Sequence, residues 1–184
     1  MTVIYSNFND TDTTLLRQVW EGLENVRVIE ITRDMIDYED IVDEAIASED
    51  DTIIFAGHGT TCGLLHPNLY ICDYVVHENN IHLIHARNVI GIWCHASEFA
   101  QAHHLNGLFT SMFISNLREA WQYGYSSAVV EKINESCVRF YGMVNALLKN
   151  NTPISEWRNN ILSQVHEDDG VEMYNYNGVK YLTD

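Results

Sequence analysis

TIIFAG (residues 52–57) and NVIGIW (residues 88–93) are short runs that stay apolar where a half-exposed strand would alternate with polar residues. As strands they must be covered on both faces, the condition met in parallel sheets flanked by helices. The rest of the N-terminal two thirds alternates accordingly. TVIYSNF opens as a β-rich run, followed by the capping-type Asp-Thr-Asp-Thr-Thr and by LLRQVWEGL, apolar at helical spacing. VRVIEI predicts a second strand, and MIDYEDIVDEAIAS sets Ile36, Ile41, Val42 and Ala45 against a carboxylate face as an amphipathic helix. TIIFAG is the third strand, NVIGIW the fourth, and GLFTSMFIS (residues 107–115) supplies a fifth. This pattern predicts an α/β fold, a three-layer sandwich with a mostly parallel sheet, as a single domain over residues 1–184.

The last third reads differently. From Ser127 to about Asn150, the positions Val129, Ile133, Cys137, Phe140, Val144, Leu147 and Leu148 predict a long helix, and SEWRNNILSQV predicts another, entered through Thr152-Pro153. VEMYNYNGVKYLT carries Asn177-Gly178 between aromatic and β-branched residues, which predicts a β-hairpin. Its Tyr174, Tyr176 and Tyr181 suit either cover for a sheet edge or a homodimer contact, with core cover the simpler use.

Ten basic against 26 acidic side chains give a formal charge of −16. That charge repels phosphate backbones and anionic lipid, so nucleic acid and membrane are not expected partners, whereas a cationic partner fits. The acidic face around Asp37, Glu39, Asp40, Asp43 and Glu44 reads as a solvated surface. The start MTVIYSNFND has neither the basic residues nor the apolar stretch of a signal peptide, and no apolar run approaches a membrane span, so a cytoplasmic location is expected. The cysteines at 62, 72, 94 and 137 lack short paired spacing and are expected to be free thiols.

In a parallel sheet all strand carboxyl ends share one edge, where α/β proteins place reactive groups. Right-handed crossovers in an order such as 2-1-3-4-5 set the third and fourth strands side by side, about 4.8 Å apart. The third ends in Gly57-His58-Gly59 and the fourth in Trp93-Cys94, so an imidazole and a thiol are expected to face one small space. Cysteine attacks carbonyls as thiolate, and a neighbouring imidazole both eases its ionisation and protonates the departing amine. The glycines beside His58 let backbone pass close to a peptide, and the amides of Gly59 and Cys94 are candidate oxyanion donors. Trp93 is a candidate pocket wall or packing under the cysteine, and His95 a candidate for tuning the thiolate through its charge. Ser97, Glu98, His103 and His104 are expected in a loop after the cysteine.

An apolar strand ending in His-Gly, here IIFAGHG, followed by one ending in Cys, here VIGIWC, resembles the caspase-like cysteine peptidases of clan CD. More narrowly, GHGTTCGLL with IGIWCHASEFA and GLFTSMFIS is similar to uncharacterised bacterial caspase-like proteins. The resemblance in element order runs from residue 1 to about 150, and its diagnostic motifs cover about 20 positions. It implies caspase-like topology, a His58 and Cys94 dyad that hydrolyses a polypeptide substrate, and no metal or organic cofactor. Members that cut after Arg or Lys often carry Asp two residues before the cysteine, where this chain has Ile92, so the cleavage preference is open.

Two other functions fit parts of the same sequence. A catalytically silent caspase-like scaffold would keep the fold and recruit partners. A zinc-binding protein would draw on the His/Cys-rich stretch 58–104, where His58, Cys62 and His66 are each four residues apart, although this lacks the paired ligands of known zinc modules. Ser6, Asn7 and Asn9 offer polar groups at the usual crevice of a doubly wound sheet, but there is no Gly-rich phosphate loop, so nucleotide binding has little support.

Overall fold

A computed structural model describes residues 1–70, 73–166 and 169–183. The chain runs through β1 (Thr2–Ser6), α1 (Thr11–Leu16), β2 (Arg27–Ile31), α2 (Glu39–Ala47) and β3 (Thr52–Ala56). Three short strands follow, β4 (Gly59–Thr60), β5 (Gly63–Leu65) and β6 (Tyr74–Val76), before β7 (Asn88–Ile92), α3 (Ala96–Ala102) and β8 (Gly107–Thr110). The C-terminal part comprises α4 (Leu117–Gln122), α5 (Val130–Lys149), α6 (Ile154–Leu162), α7 (Gly170–Asn177) and β9 (Val179–Leu182).

Six strands form one sheet in the order β2-β1-β3-β7-β8-β9; the first five are parallel, and β9 runs antiparallel to β8. The expected order 2-1-3-4-5 is therefore the observed one. Alternate residues of each central strand enter opposite cores. Val3, Tyr5, Ile54, Ala56, Ile90 and Ile92 pack with Ile133, Phe140 and Val144 of α5. Ile4, Ile53, Phe55, Val89 and Phe109 pack with Val42 and Ile46 of α2 and Phe99 of α3. Helices thus cover both faces, which is why these strands carry no polar alternation. Among the described residues, no helix is long and apolar enough to cross a membrane.

Three expectations are corrected. Asn177-Gly178 is the end of α7 and not a hairpin turn: Gly178 has φ −69°, whereas a two-residue hairpin of this sequence needs positive φ at both central positions. The preceding residues form a helix because Asp169 caps it, accepting from the Glu172 amide, and because Val171, Asn175 and Tyr176 recur at helical spacing on the buried side. The fifth strand stops at Thr110, and Ser111–Ser115 leaves the sheet toward the site described below. Ser97 and Glu98 lie in the first turn of α3 and not in a loop, whereas His103 and His104 follow the helix in the turn before β8, as expected.

Tyr176 is fully buried and donates its hydroxyl to the Ser136 carbonyl, so of the three C-terminal tyrosines this one is core. Tyr181 on β9 and Tyr174 on α7 are both half-buried and pack against the same core.

Candidate active site

β3 and β7 are paired in register up to Ala56 and Ile92, and the Gly57 amide extends the ladder by donating to the Ile92 carbonyl at 3.2 Å. His58 and Cys94 each lie two residues past that last pair, so adjacent strands deliver them at the same height on the carboxyl edge. Both line one cavity with Asp12, Leu16, Phe113 and Ser115. Gly57 allows the approach: its φ is +154°, and a Cβ there would lie 2.8 Å from the Ser6 side chain on β1.

The β1–α1 connection supplies a third group. His58 Nε2 lies 2.8 Å from Asp10 Oδ2, while Asp10 Oδ1 accepts from the Thr13 amide at 2.8 Å and its hydroxyl at 2.7 Å. Burial pushes the Asp10 carboxyl up, but the Thr13 and His58 hydrogen bonds outweigh it and hold the group below its ordinary range. An ionised carboxylate only accepts, so His58 Nε2 is the donor in this contact and Nδ1 is the nitrogen left outside it. Phe8 meets the imidazole edge-on, with ring centroids 4.8 Å apart. Asp10 therefore caps α1 and orients His58 at once.

Cys94 sits in a sharp strand-to-helix turn. The next residue, His95, has φ 69°, a left-handed conformation that is uncommon outside glycine. Cys94 Sγ donates to the Phe113 carbonyl at 3.5 Å. Burial, and then the negative charges of Glu119, Asp12 and Glu98, push its thiol up to about 12. At neutral pH the resting group is a thiol, and attack on a carbonyl needs a base to take its proton. Asp12 and Glu119 are held close together, both accepting from the Ser115 hydroxyl, at 2.9 and 3.2 Å.

The other predicted residues divide by role. The Trp93 indole is buried against Phe99 and donates to the Thr60 carbonyl at 3.2 Å, which props β4 beneath His58. Gly59 rests on that ring: a Cβ there would lie 2.0 Å from it. The Leu65 amide donates to the His58 carbonyl, making Gly59 and Leu64 the non-hydrogen-bonded pair of the β4–β5 ladder, so that ladder does not occupy the Gly59 amide. His95 turns toward Glu98, with Nδ1 at 3.3 Å from the carboxylate.

The residues of the zinc reading are separated in role. His66 is buried with both ring nitrogens engaged, by the Met35 carbonyl and the Asn68 amide, whereas Cys62 is exposed. Among the described residues no group of three or more His, Cys, Asp or Glu is placed to hold a metal ion. Cys137 is buried on α5, and Cys72 lies outside the described residues. At the first-strand crevice, Ser6 and Asn7 are tied to the Leu65 carbonyl and the Glu30 carboxylate.

The dyad cavity holds about 20 Å³, room for one water. A larger cavity of about 550 Å³, lined by Tyr125, Lys132, Arg139 and His166 among others, shares none of its lining residues. The sequence reading missed Asp10, Asp12, Glu119 and the Phe113 carbonyl. Asp10 had a signal: with β1 beside β3, the loop after β1 must lie beside His58, and its capping carboxylate is the nearest acid. No protein-family model matches the chain, and no curated protein matches it.

Proposed function

We propose that the protein is a caspase-like cysteine peptidase that cleaves a polypeptide substrate with Cys94 as nucleophile and His58 as acid and base. One observation carries the reading: the two residues end neighbouring parallel strands at equal height and line one cavity, with the imidazole oriented by Asp10. The strand order, with the reactive pair on its third and fourth parallel members, supports the caspase-like topology that the two motifs imply.

In this mechanism Cys94 Sγ forms a bond to the scissile carbonyl carbon as its proton passes to His58 Nδ1. The Gly59 and Cys94 amides receive the oxyanion. The carbon–nitrogen bond then breaks, His58 returns the proton to the departing amine, and a thioester remains. Water attacks the thioester, giving a proton to His58, and the acid product leaves with the thiol restored. Asp10 holds the Nε2–H tautomer and stabilises the imidazolium between these steps.

The raised thiol and the one-water cavity favour a second reading, a caspase-like scaffold that does no chemistry. A thiol-directed peptidyl electrophile separates the two. Peptidase chemistry predicts labelling of the wild type, none of Cys94→Ala and slowed labelling of His58→Ala. Equal labelling of the wild type and Cys94→Ala removes Cys94 from the mechanism, and labelling of Cys94 that His58→Ala leaves unchanged removes the base.

A further inference from the structure

β8 ends on a polar residue that has no route to solvent. Thr110 is 2% exposed, so its hydroxyl must find its partner inside the protein. Oγ1 donates to the Trp93 carbonyl at 2.8 Å, and the Gly91 carbonyl, at 3.4 Å, is the more distant acceptor. Had the ladder between β7 and β8 run on past Gly91 and Phe109, a backbone amide would serve the Trp93 carbonyl. The strand stops at Thr110 instead, and the Ser111 amide turns away to the Gly178 carbonyl at 3.0 Å. The threonine hydroxyl takes the place of the missing rung.

That bond sets the direction of the next amide. A peptide unit is planar and trans, so its C=O and its N–H point opposite ways. The Ile92 carbonyl accepts from Gly57 on the β3 side, and the Trp93 carbonyl, one residue on, accepts from Thr110 on the β8 side. The Cys94 amide shares a peptide unit with the Trp93 carbonyl, so it is aimed back toward β3, whose continuation carries His58 and Gly59. Among the described residues this amide donates to no protein acceptor. A second donor to the Trp93 carbonyl is the Ala96 amide, at 3.2 Å in the first turn of α3. Trp93 also fixes the other flank of the gap, because its indole holds Thr60 and its ring lies under Gly59.

We propose that Thr110 is a positioning residue: its hydroxyl, acting through the Trp93 carbonyl, aims the Cys94 amide into the gap beside Gly59, where the amide donates to the oxygen of an acyl group under attack. That this oxygen belongs to a scissile carbonyl rests on the peptidase reading; the direction of the amide does not. Thr110 itself touches no reacting atom. Valine in its place keeps the β-branched shape and loses the donor. The Trp93 carbonyl is then left to the Ala96 amide alone, and the peptide unit between Trp93 and Cys94 turns toward α3.

Two measurements on the full-length protein test this. The first needs no catalysis. In protein whose cysteines alone carry an NMR-active nitrogen isotope, the Cys94 amide resonance, assigned by its loss in Cys94→Ala, is expected to shift in Thr110→Val and to return in Thr110→Ser, while those of Cys62 and Cys137 stay in place. The second compares two reactions of Cys94. Acylation by a blocked amino-acid p-nitrophenyl ester forms the sulfur–carbon bond, drives the carbonyl electrons onto oxygen and then expels p-nitrophenolate, the thiol proton passing to His58. Alkylation by iodoacetamide displaces iodide from a saturated carbon and develops no oxyanion. Thr110→Val is expected to slow acylation about tenfold, since the donor is turned and not removed, and to keep alkylation within about twofold of the wild type. Thr110→Ser restores acylation. Equal slowing of both reactions, acylation unchanged in Thr110→Val, or an unmoved Cys94 resonance overturns the inference. Acylation of the wild type no faster than that of Cys94→Ala overturns the peptidase reading and, with it, the oxyanion role given to the amide; acylation of the wild type that Thr110→Val leaves intact overturns the role of Thr110 alone.

Discussion

At the scale of single residues, Asp10 performs two tasks with one carboxylate, one oxygen capping α1 and the other on His58. The two can be separated. Asp10→Asn keeps an acceptor for the Thr13 amide but no longer offers a charge to the imidazole. It is expected to leave thermal stability nearly unchanged while slowing inactivation by the peptidyl electrophile about 10²-fold. Asp10→Ala loses both functions and about 1 kcal/mol of stability, read from urea unfolding. Cys94 gives a second prediction. With its thiol pushed up to about 12, its thiolate fraction at pH 7 is about one in 10⁵ and climbs tenfold per pH unit. Alkylation of Cys94 by iodoacetamide, followed by mass spectrometry, is therefore expected to be slow at neutral pH and to keep rising past pH 9 without a plateau. A plateau near the ordinary thiol value would show that neither burial nor the carboxylates around Cys94 restrain it. His58 and Cys94 were legible in the sequence because each terminates an unbroken apolar run. The carboxylates were not, since Asp12 and Glu119 meet only through the folded position of Ser115.

At the scale of elements, periodicity located the parallel strands and the long helix because burial writes itself into spacing. It failed where a two-residue signal was read without its neighbours. Asn177-Gly178 has hairpin composition, yet Asp169 followed three residues later by Glu172 is a helix-start signature, and the helix consumes the positions that would have formed the first strand of the hairpin. That helix also carries an internal ion pair. Glu172 is fully buried, 2.6 Å from Arg139 of α5, and accepts from the amide and ring of His166. Breaking such a pair leaves a buried charge without its partner. Arg139→Met is expected to destabilise the protein by about 3 kcal/mol, and the double variant Arg139→Met with Glu172→Gln to recover a large part of the loss, both read from urea unfolding. An additive double variant would show that the pair contributes no coupling.

At the scale of the whole molecule, the sheet order was legible from the handedness of crossovers and the two-sided apolar strands. Its consequence for the site required following every loop on the carboxyl edge, including the one after β1, and not only the two with conspicuous residues. The charge of −16 acts on the molecule as a unit. Like charges across one surface repel and favour expansion, and salt screens that repulsion. Raising sodium chloride from about 10 mM to about 200 mM is expected to stabilise the fold by about 1 kcal/mol, a rise in melting temperature of about 3 °C for a chain of this length. A fall in melting temperature over the same range would mean that favourable ion pairs outweigh the net repulsion.

The bond from the Trp93 indole to Thr60 has a mechanical meaning. It fastens the turn that follows the imidazole to the segment that carries the sulfur, adding a side-chain tie to the ladder between β3 and β7. On the peptidase reading, room for a polypeptide falls to the opposite wall, the stretch from Ser111 to Ser115 that departs the sheet early and is held to α4 through Glu119.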